Sequence, residues 1–257
     1  MDLNQLLFGV YPYIALAVLA VGSVVRFDRE PYTWRTGSSQ LLRRRQLMTG
    51  SVLFHLGVLM IFAGHFVGLL TPIWIWDALG VPHAAKQMLA MVAGGVAGLF
   101  ALVGGSLLLH RRLFDPRIRA NSSFGDTAIL VLLMLQLLLG LSTIPVSFQH
   151  RDGAEMLKFM NWAQGVFLFR PHVADFVADT QFVFKAHLTL GMTILLVFPF
   201  TRLVHMLSAP VWYLNRRGWQ LVRTRRTLPR RPAALAPTYA TIPAARPAPV
   251  TREEAAK

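Results

Sequence analysis

Five long apolar runs, separated by polar connections, dominate the pattern of the chain. They cover residues 6–25, 47–70, 87–109, 125–144 and 182–207. A helix needs about 20 apolar residues to cross a hydrocarbon layer of roughly 30 Å, so each run is long enough to span a membrane. The pattern therefore predicts an all-α membrane protein in which residues 1–226 form a bundle of five transmembrane helices.

Two other stretches depart from this pattern. The connection at 145–181 is long for a membrane loop and rich in aromatic residues, which indicates a segment folded back onto the membrane surface, where it could cap a site. Residues 227–257 are rich in proline and alanine and cannot bury a core. We therefore expect them to form a disordered cytoplasmic tail.

Composition supports a lipid environment and narrows the possible chemistry. Of the 257 residues, 54% are hydrophobic and only 15% are charged, which is too apolar for an ordinary soluble domain. The chain has no cysteine, so it cannot itself hold an iron–sulfur cluster, a thiolate metal site or a disulfide. Any redox cofactor must use other ligands.

The positive charge indicates membrane orientation rather than a nucleic-acid site. The net charge is +14, and the arginines lie in connections beside the apolar runs without a nucleic-acid motif. Basic loops remain on the cytoplasmic side, so we place the N-terminus outside and the C-terminus in the cytoplasm. The arginines that indicate this are Arg26, Arg29, Arg35, Arg43, Arg44, Arg45, Arg111, Arg112, Arg117, Arg119, Arg216, Arg217, Arg223, Arg225 and Arg226.

Histidines inside the predicted spans are the main candidates for chemistry. An intramembrane histidine is costly unless it is paired or binds a ligand, and four of the eight histidines lie in spans two and five. These spans run antiparallel, so matching depths pair His65 with His187 near the outer face and His55 with His205 near the inner face. We call these the outer pair and the inner pair.

Helix phase supports the pairing on span five but not on span two. From His187 to His205 an ideal helix makes about five full turns, so both side chains would project from one face about 27 Å apart. From His55 to His65 the helix ends about 80° short of three turns. Tilt, and a kink at Pro199, would absorb part of this mismatch.

Two imidazoles at each level are typical axial ligands of a haem iron, so we predict two b-type haems between facing helices. A non-haem metal cluster is an open alternative, although the spans lack buried carboxylates. Haem ligation by one histidine and Met60, Met192 or Met206 is another. Several glycines would give a macrocycle room or would only let helices pack closely: Gly57, Gly64, Gly68, Gly94, Gly95, Gly98, Gly104, Gly105 and Gly191.

Two haems would carry electrons across the insulating hydrocarbon layer, and a lipid-soluble quinol is a natural donor. Quinol oxidation releases protons and needs a polar group at the membrane edge. Lys86 opens span three at the level of the outer pair and is our candidate, although an ordinary snorkelling lysine is an alternative. The sequence has no iron–sulfur, flavin or molybdopterin motif, so a partner chain must supply the acceptor.

The chain resembles a known family, the gamma subunit of respiratory nitrate reductase, over about residues 6–226. The residues that carry the resemblance are 7–13 (LFGVYPY), 32–35 (YTWR), 37–39 (GSS), 54–55 (FH), 64–66 (GHF), 86–87 (KQ), 111–114 (RRLF), 162–164 (WAQ) and 198–205 (FPFTRLVH).

The resemblance implies a di-haem cytochrome b of the bacterial inner membrane that oxidises menaquinol or ubiquinol and contributes to the proton-motive force. It implies a cytoplasmic iron–sulfur beta subunit and a molybdenum-containing alpha subunit that reduces nitrate to nitrite. The residues it implicates are His65 and His187 on the distal haem, His55 and His205 on the proximal haem, and Lys86 with Gly64 at the quinol site.

Two other functions remain open at this point. A cytochrome b subunit of the hydrogenase or formate dehydrogenase type would also use transmembrane histidines, and the copurifying partner distinguishes it. A transporter that relays protons through its histidines is the other, and such a protein would be colourless.

Overall fold

The computed structural model describes residues 2–34 and 42–208. Within these residues the chain forms eight α-helices and no β-strand. The predicted tail at 227–257 and residues 35 and 37–39 of the family resemblance lie outside this part. The helices are α1 (Tyr11–Arg29), α2 (Arg44–Leu70), α3 (Ile73–Ala78), α4 (His83–Phe114), α5 (Pro116–Ala120), α6 (Phe124–Gln149), α7 (Ala154–Phe167) and α8 (Phe182–Val197).

Five helical stretches are long and apolar enough to cross a membrane, which confirms the predicted number of spans. A π-helical turn at Gln5–Val10 continues directly into α1, and together they form the first span. Helices α2, α4 and α6 form the next three, and α8 with its extension to Phe200 forms the fifth. The described part of the chain is therefore a multi-pass helical membrane protein.

The fifth span differs from the prediction of one helix over residues 182–207. Proline cannot donate a backbone hydrogen bond and clashes with the preceding turn. Helix α8 ends at Val197, a 3₁₀ turn covers Phe198–Phe200, and His205 lies on a separate 3₁₀ segment, Arg202–Ser208. The argument that His187 and His205 share one helix face was therefore wrong, because Pro199 ends that helix between them.

An arginine from the first span stabilises this break. Thr201 is extended, with φ −116° and ψ 178°, so the carbonyls around it lack helical partners. Arg26 at the end of α1 donates from Nη1 to the carbonyl oxygens of Pro199 at 2.6 Å and Thr201 at 2.7 Å. A charged donor is an effective partner for such carbonyls.

The closest helix contact in the bundle is that of α2 with α4, and glycines make it possible. A methyl group added at Gly57 would lie 2.5 Å from the Ala97 oxygen and the Ala101 nitrogen. A methyl group added at Gly104 would lie 2.3 Å from the Phe54 nitrogen. These glycines serve backbone contact between helices. Around the bundle α4 then packs on α6, α6 on α8, and α8 on α1.

Helix α6 extends to Gln149, so the connection to α8 is shorter than the predicted 145–181. It contains α7, which packs against α2 and α4. Trp162 donates from its indole nitrogen to the Phe8 oxygen at 2.9 Å, which ties α7 to the first span. An apolar cluster surrounds this contact. Its buried members are Phe8, Trp162, Ala163, Val166, Val173, Ala174 and Val177.

Candidate functional site

The outer pair consists of His65 on α2 and His187 on α8, whose rings face each other. The ring centres of His65 and His187 lie 6.3 Å apart, with 42° between the ring planes. The Nδ1 atom of His65 is 2.9 Å from the Ile61 carbonyl oxygen one turn earlier. Because a carbonyl only accepts hydrogen bonds, Nδ1 carries the proton, and Nε2 keeps its lone pair for a ligand.

Helix α6 holds His187 through two residues that sequence reasoning missed. Gln136 donates from Nε2 to the His187 carbonyl oxygen at 3.1 Å and lies 3.4 Å from the ring Nε2. Gly140 leaves room for the ring, because a Cβ atom there would lie 3.0 Å from the His187 Cε1. Gln136 could have been found as the one polar residue within the apolar run 128–141.

The inner pair has almost the same separation, and its His55 precedes His65 by ten residues on α2. The ring centres of His55 and His205 lie 6.4 Å apart, with 70° between the planes. His55 donates from Nδ1 to the Ser51 carbonyl oxygen at 2.7 Å, and His205 donates to the Arg202 oxygen at 2.6 Å. Both rings are therefore oriented by the backbone, with Nε2 left available.

The two separations fit a metal ion between each pair of rings. An imidazole nitrogen binds a metal at about 2.0–2.1 Å, and the ring centre lies about 1 Å further out, so two rings on opposite sides of an iron have centres about 6 Å apart. The observed values are 6.3 and 6.4 Å. The four histidines are therefore the residues that could hold a metal-centred cofactor, two imidazoles at each level.

The glycines divide into two groups. A Cβ atom at Gly98 would meet Leu141, and one at Gly105 would meet Met134 and Phe54, so these positions serve packing, as Gly57 and Gly104 do. At Gly64, Gly68 and Gly94 a Cβ atom would meet nothing within 4 Å. Space is therefore open at Gly64 and Gly68, on either side of His65, and filled at Gly98 and Gly105, where α4 faces α6 and α2.

Two of the methionines proposed as alternative ligands pack against apolar clusters. Met192 lies against the cluster around Trp162, and Met206 lies against a second cluster that includes Val204 and Phe198. Met60 is 43% exposed on α2. None of these contacts resembles the paired geometry of the histidines.

Lys86 is buried rather than snorkelling, with only 5% of its surface exposed. Its ammonium donates to the Gly68 carbonyl oxygen and to the Met160 sulfur, both at 2.9 Å. The same group lies 4.4 Å from the centre of the Trp76 ring. A cation is thus held at the end of α2, one turn beyond His65.

A pocket of about 480 Å³ opens beside the same end of α2, between α3 and α7. Leu70, Trp74 and Gln164 are among the residues that line it, and Lys86 is not. The pocket and Lys86 therefore both lie near the end of α2, but Lys86 does not line the pocket.

The fold and the two histidine pairs define a multi-pass helical membrane protein with matched imidazoles at two depths. Comparison with known proteins narrows this class, because residues 4–225 match the family described as nitrate reductase gamma subunit. The chain belongs to this family, which confirms the resemblance found in the sequence, and it is a subunit of a nitrate reductase complex.

Individual relatives cover most of the chain. Respiratory nitrate reductase 1 gamma chain of Escherichia coli (strain K12) is 51% identical over 223 residues, which are 87% of this chain and 98% of that one. Respiratory nitrate reductase 2 gamma chain of the same strain is 50% identical over 224 residues, with the same coverage. Nitrate reductase gamma chain of Bacillus subtilis (strain 168) is 35% identical over 213 residues, 83% of this chain and 95% of that one.

Proposed function

We propose that this chain is the di-haem cytochrome b subunit of a respiratory nitrate reductase. It takes electrons from quinol near the outer membrane face and delivers them to a cytoplasmic iron–sulfur subunit, which serves a molybdenum-containing subunit that reduces nitrate to nitrite. The N-terminus lies in the periplasm and the C-terminus in the cytoplasm. Oxidation outside and delivery inside separate charge and so contribute to the proton-motive force.

The separation of the two histidine pairs is the observation that carries this proposal. His65 with His187, and His55 with His205, would bind one b-type haem each, and each haem supplies a one-electron carrier when bound. A bare metal ion needs three or four protein ligands. Among the described residues no group of three or more His, Cys, Asp or Glu side chains could hold one. A porphyrin brings four ring nitrogens of its own, so two imidazoles suffice.

Lys86 supports the quinol half of the proposal. An ammonium has three donors, and the structure uses one on the Gly68 carbonyl and one on the sulfur of Met160. Sulfur is a weak acceptor, so a quinol oxygen could replace it while the bond to Gly68 remains. Gly64 leaves open space beside His65, where the quinol ring could approach.

Haem content tests the axial ligands. The purified complex should show two b-type haems per chain, and His65→Leu should lose the outer haem while retaining the inner one. His172→Asn is the matched control, because His172 is an exposed loop residue with φ 58°, a conformation that asparagine tolerates. Two haems remaining in His65→Leu, or a wild-type complex without pigment, would contradict the proposal.

Quinol oxidation tests Lys86 separately. Lys86→Ala should keep both haems and lower the rate of haem reduction by quinol by at least about tenfold, as expected when a charge-assisted hydrogen bond worth about 1.5–3 kcal/mol is lost. Lys158→Ala is the control, because Lys158 of α7 forms its ion pairs with Glu155 of the same helix and with Asp179 in the connection to α8. An unchanged rate in Lys86→Ala would exclude a role in quinol oxidation.

A further inference from the structure

The outer part of α2 carries a proposed haem ligand but has little packing of its own. The inner part lies close against α4 at Gly50 and Gly57: a Cβ atom added at Gly57 would lie 2.5 Å from the α4 backbone, and one at Gly50 would lie 3.2 Å from the Gly104 oxygen. Gly64 and Gly68, on either side of His65, meet nothing within 4 Å. The position of His65 therefore depends on contacts that α2 makes from Gly68 onwards rather than on close packing against α4 around His65.

The carbonyl groups at the end of α2 make those contacts. The last four carbonyls of a helix have no partner within the helix. Here Gln164 of α7 donates from Nε2 to the oxygens of Leu69 and Thr71, both at 3.0 Å. Lys86 donates to the Gly68 oxygen. A cation at this point also interacts favourably with the negative end of the helix dipole.

These bonds act close to the ligand. Leu69 follows His65 by four residues, so it lies one turn further along the same helix face. The backbone of α7 near Gln164 is itself well packed. The neighbouring Trp162 is 4% exposed and donates a hydrogen bond to the Phe8 oxygen of the first span. The connection between the fourth and fifth spans is thus hydrogen-bonded to the end of the second span through Gln164.

We infer that Gln164 is a positioning residue for His65, and that α7 serves to hold the end of α2 at the distance that lets His65 and His187 bind one iron. The inference rests on the proposed haem function. The side-chain amide is suited to this role because its two N–H groups bond two carbonyls at once without adding charge.

Replacing Gln164 by Met removes both donors and keeps the side-chain length. In the complete complex, Gln164→Met should shift the midpoint potential and the electron paramagnetic resonance signal of the outer haem and leave those of the inner haem unchanged. Backbone amides at 66–71 should exchange with deuterium about thirtyfold faster, because two hydrogen bonds of about 1 kcal/mol each are lost. Should Gln164→Met fail to assemble, Gln164→Glu also removes both donors while keeping the shape.

Gln46→Met is the matched control. Gln46 lies at the opposite end of α2 and donates from Nε2 to the Leu107 oxygen at 3.2 Å, so its loss should leave the outer haem and residues 66–71 unaffected. Unchanged outer-haem signals in both Gln164 variants would overturn the inference, as would equal loss of both haems in Gln164→Met and Gln46→Met. Absence of haem from the wild-type complex would instead refute the proposed function.

Discussion

Gly104→Ala tests how closely the histidine positions depend on the contact between α2 and α4. The added Cβ atom would lie 2.3 Å from the Phe54 nitrogen, 2.7 Å from the Gly50 oxygen and 2.8 Å from the Phe54 Cα. All three are backbone atoms, so no side-chain rotation relieves the clash. Reaching the 3.4 Å of an ordinary contact requires α2 and α4 to separate by about 1 Å.

We expect Gly104→Ala to lower the free energy of unfolding. Alanine is the better helix former by about 1 kcal/mol, but overpacking typically costs about 1–3 kcal/mol, and at a backbone contact the upper part of that range applies. The displaced residue, Phe54, immediately precedes His55. The rings of the inner pair have centres 6.4 Å apart, and the proposed haem site would not tolerate a shift of 1 Å, because iron–nitrogen bonds have a fixed length.

We therefore expect Gly104→Ala to lower the thermal stability of the complex and to shift or remove the inner haem before the outer one. Haem counting, redox titration and thermal bleaching measure these effects. Gly94→Ala on the same helix is the control, since its Cβ atom meets nothing within 4 Å, and it should be neutral or slightly stabilising. An intact inner haem in Gly104→Ala, or equal damage in Gly94→Ala, would refute the reasoning.

Three further predictions follow from other contacts. Gly140→Val should displace the ring of His187, 3.0 Å from the added Cβ, and change only the outer-haem spectrum; a change in the inner haem would contradict this. Arg26→Met leaves two carbonyls beside the break in span five without a donor, costing about 1–3 kcal/mol each, so the inner haem held by His205 should bleach at a lower temperature, whereas Arg26→Lys should partly restore it. The hydrogen bond from Lys158 lowers the pKa of the Asp179 carboxyl from its ordinary value of 3.8. This contact therefore stabilises the fold above pH 3.8, and the stabilisation is lost as the pH falls below that value. The difference in thermal stability between wild type and Asp179→Asn should thus be present at about pH 7 and decrease as the pH falls below 3.8; a constant difference would exclude the ion pair as its source.

Much of the architecture was predictable because lipid imposes simple rules on a sequence. A span must be apolar over about 20 residues, and a histidine within it needs a partner. Those two rules were enough to predict five spans and to single out His55, His65, His187 and His205. Matching their depths on antiparallel spans predicted the outer pair and the inner pair. In the structure the ring centres of these pairs lie 6.3 and 6.4 Å apart.

Ideal helix geometry could not describe the fifth span. Phase arguments assume one continuous helix, and Pro199 ends it two turns before His205. Whether a proline kinks a helix or ends it depends on what can satisfy the freed carbonyls. Here that partner is Arg26, which is 173 residues away in sequence.

What the sequence by itself determined is the number of spans and their approximate positions along the chain, because these depend on local composition along one chain segment. Only the tertiary structure decided that Lys86 is buried, that Gln136 and Gly140 surround His187, and that Gln164 binds the end of α2. Each of these depends on which backbone atoms a distant segment presents. Periodicity and hydropathy carry no information about such contacts, since they describe a helix face but not its neighbour.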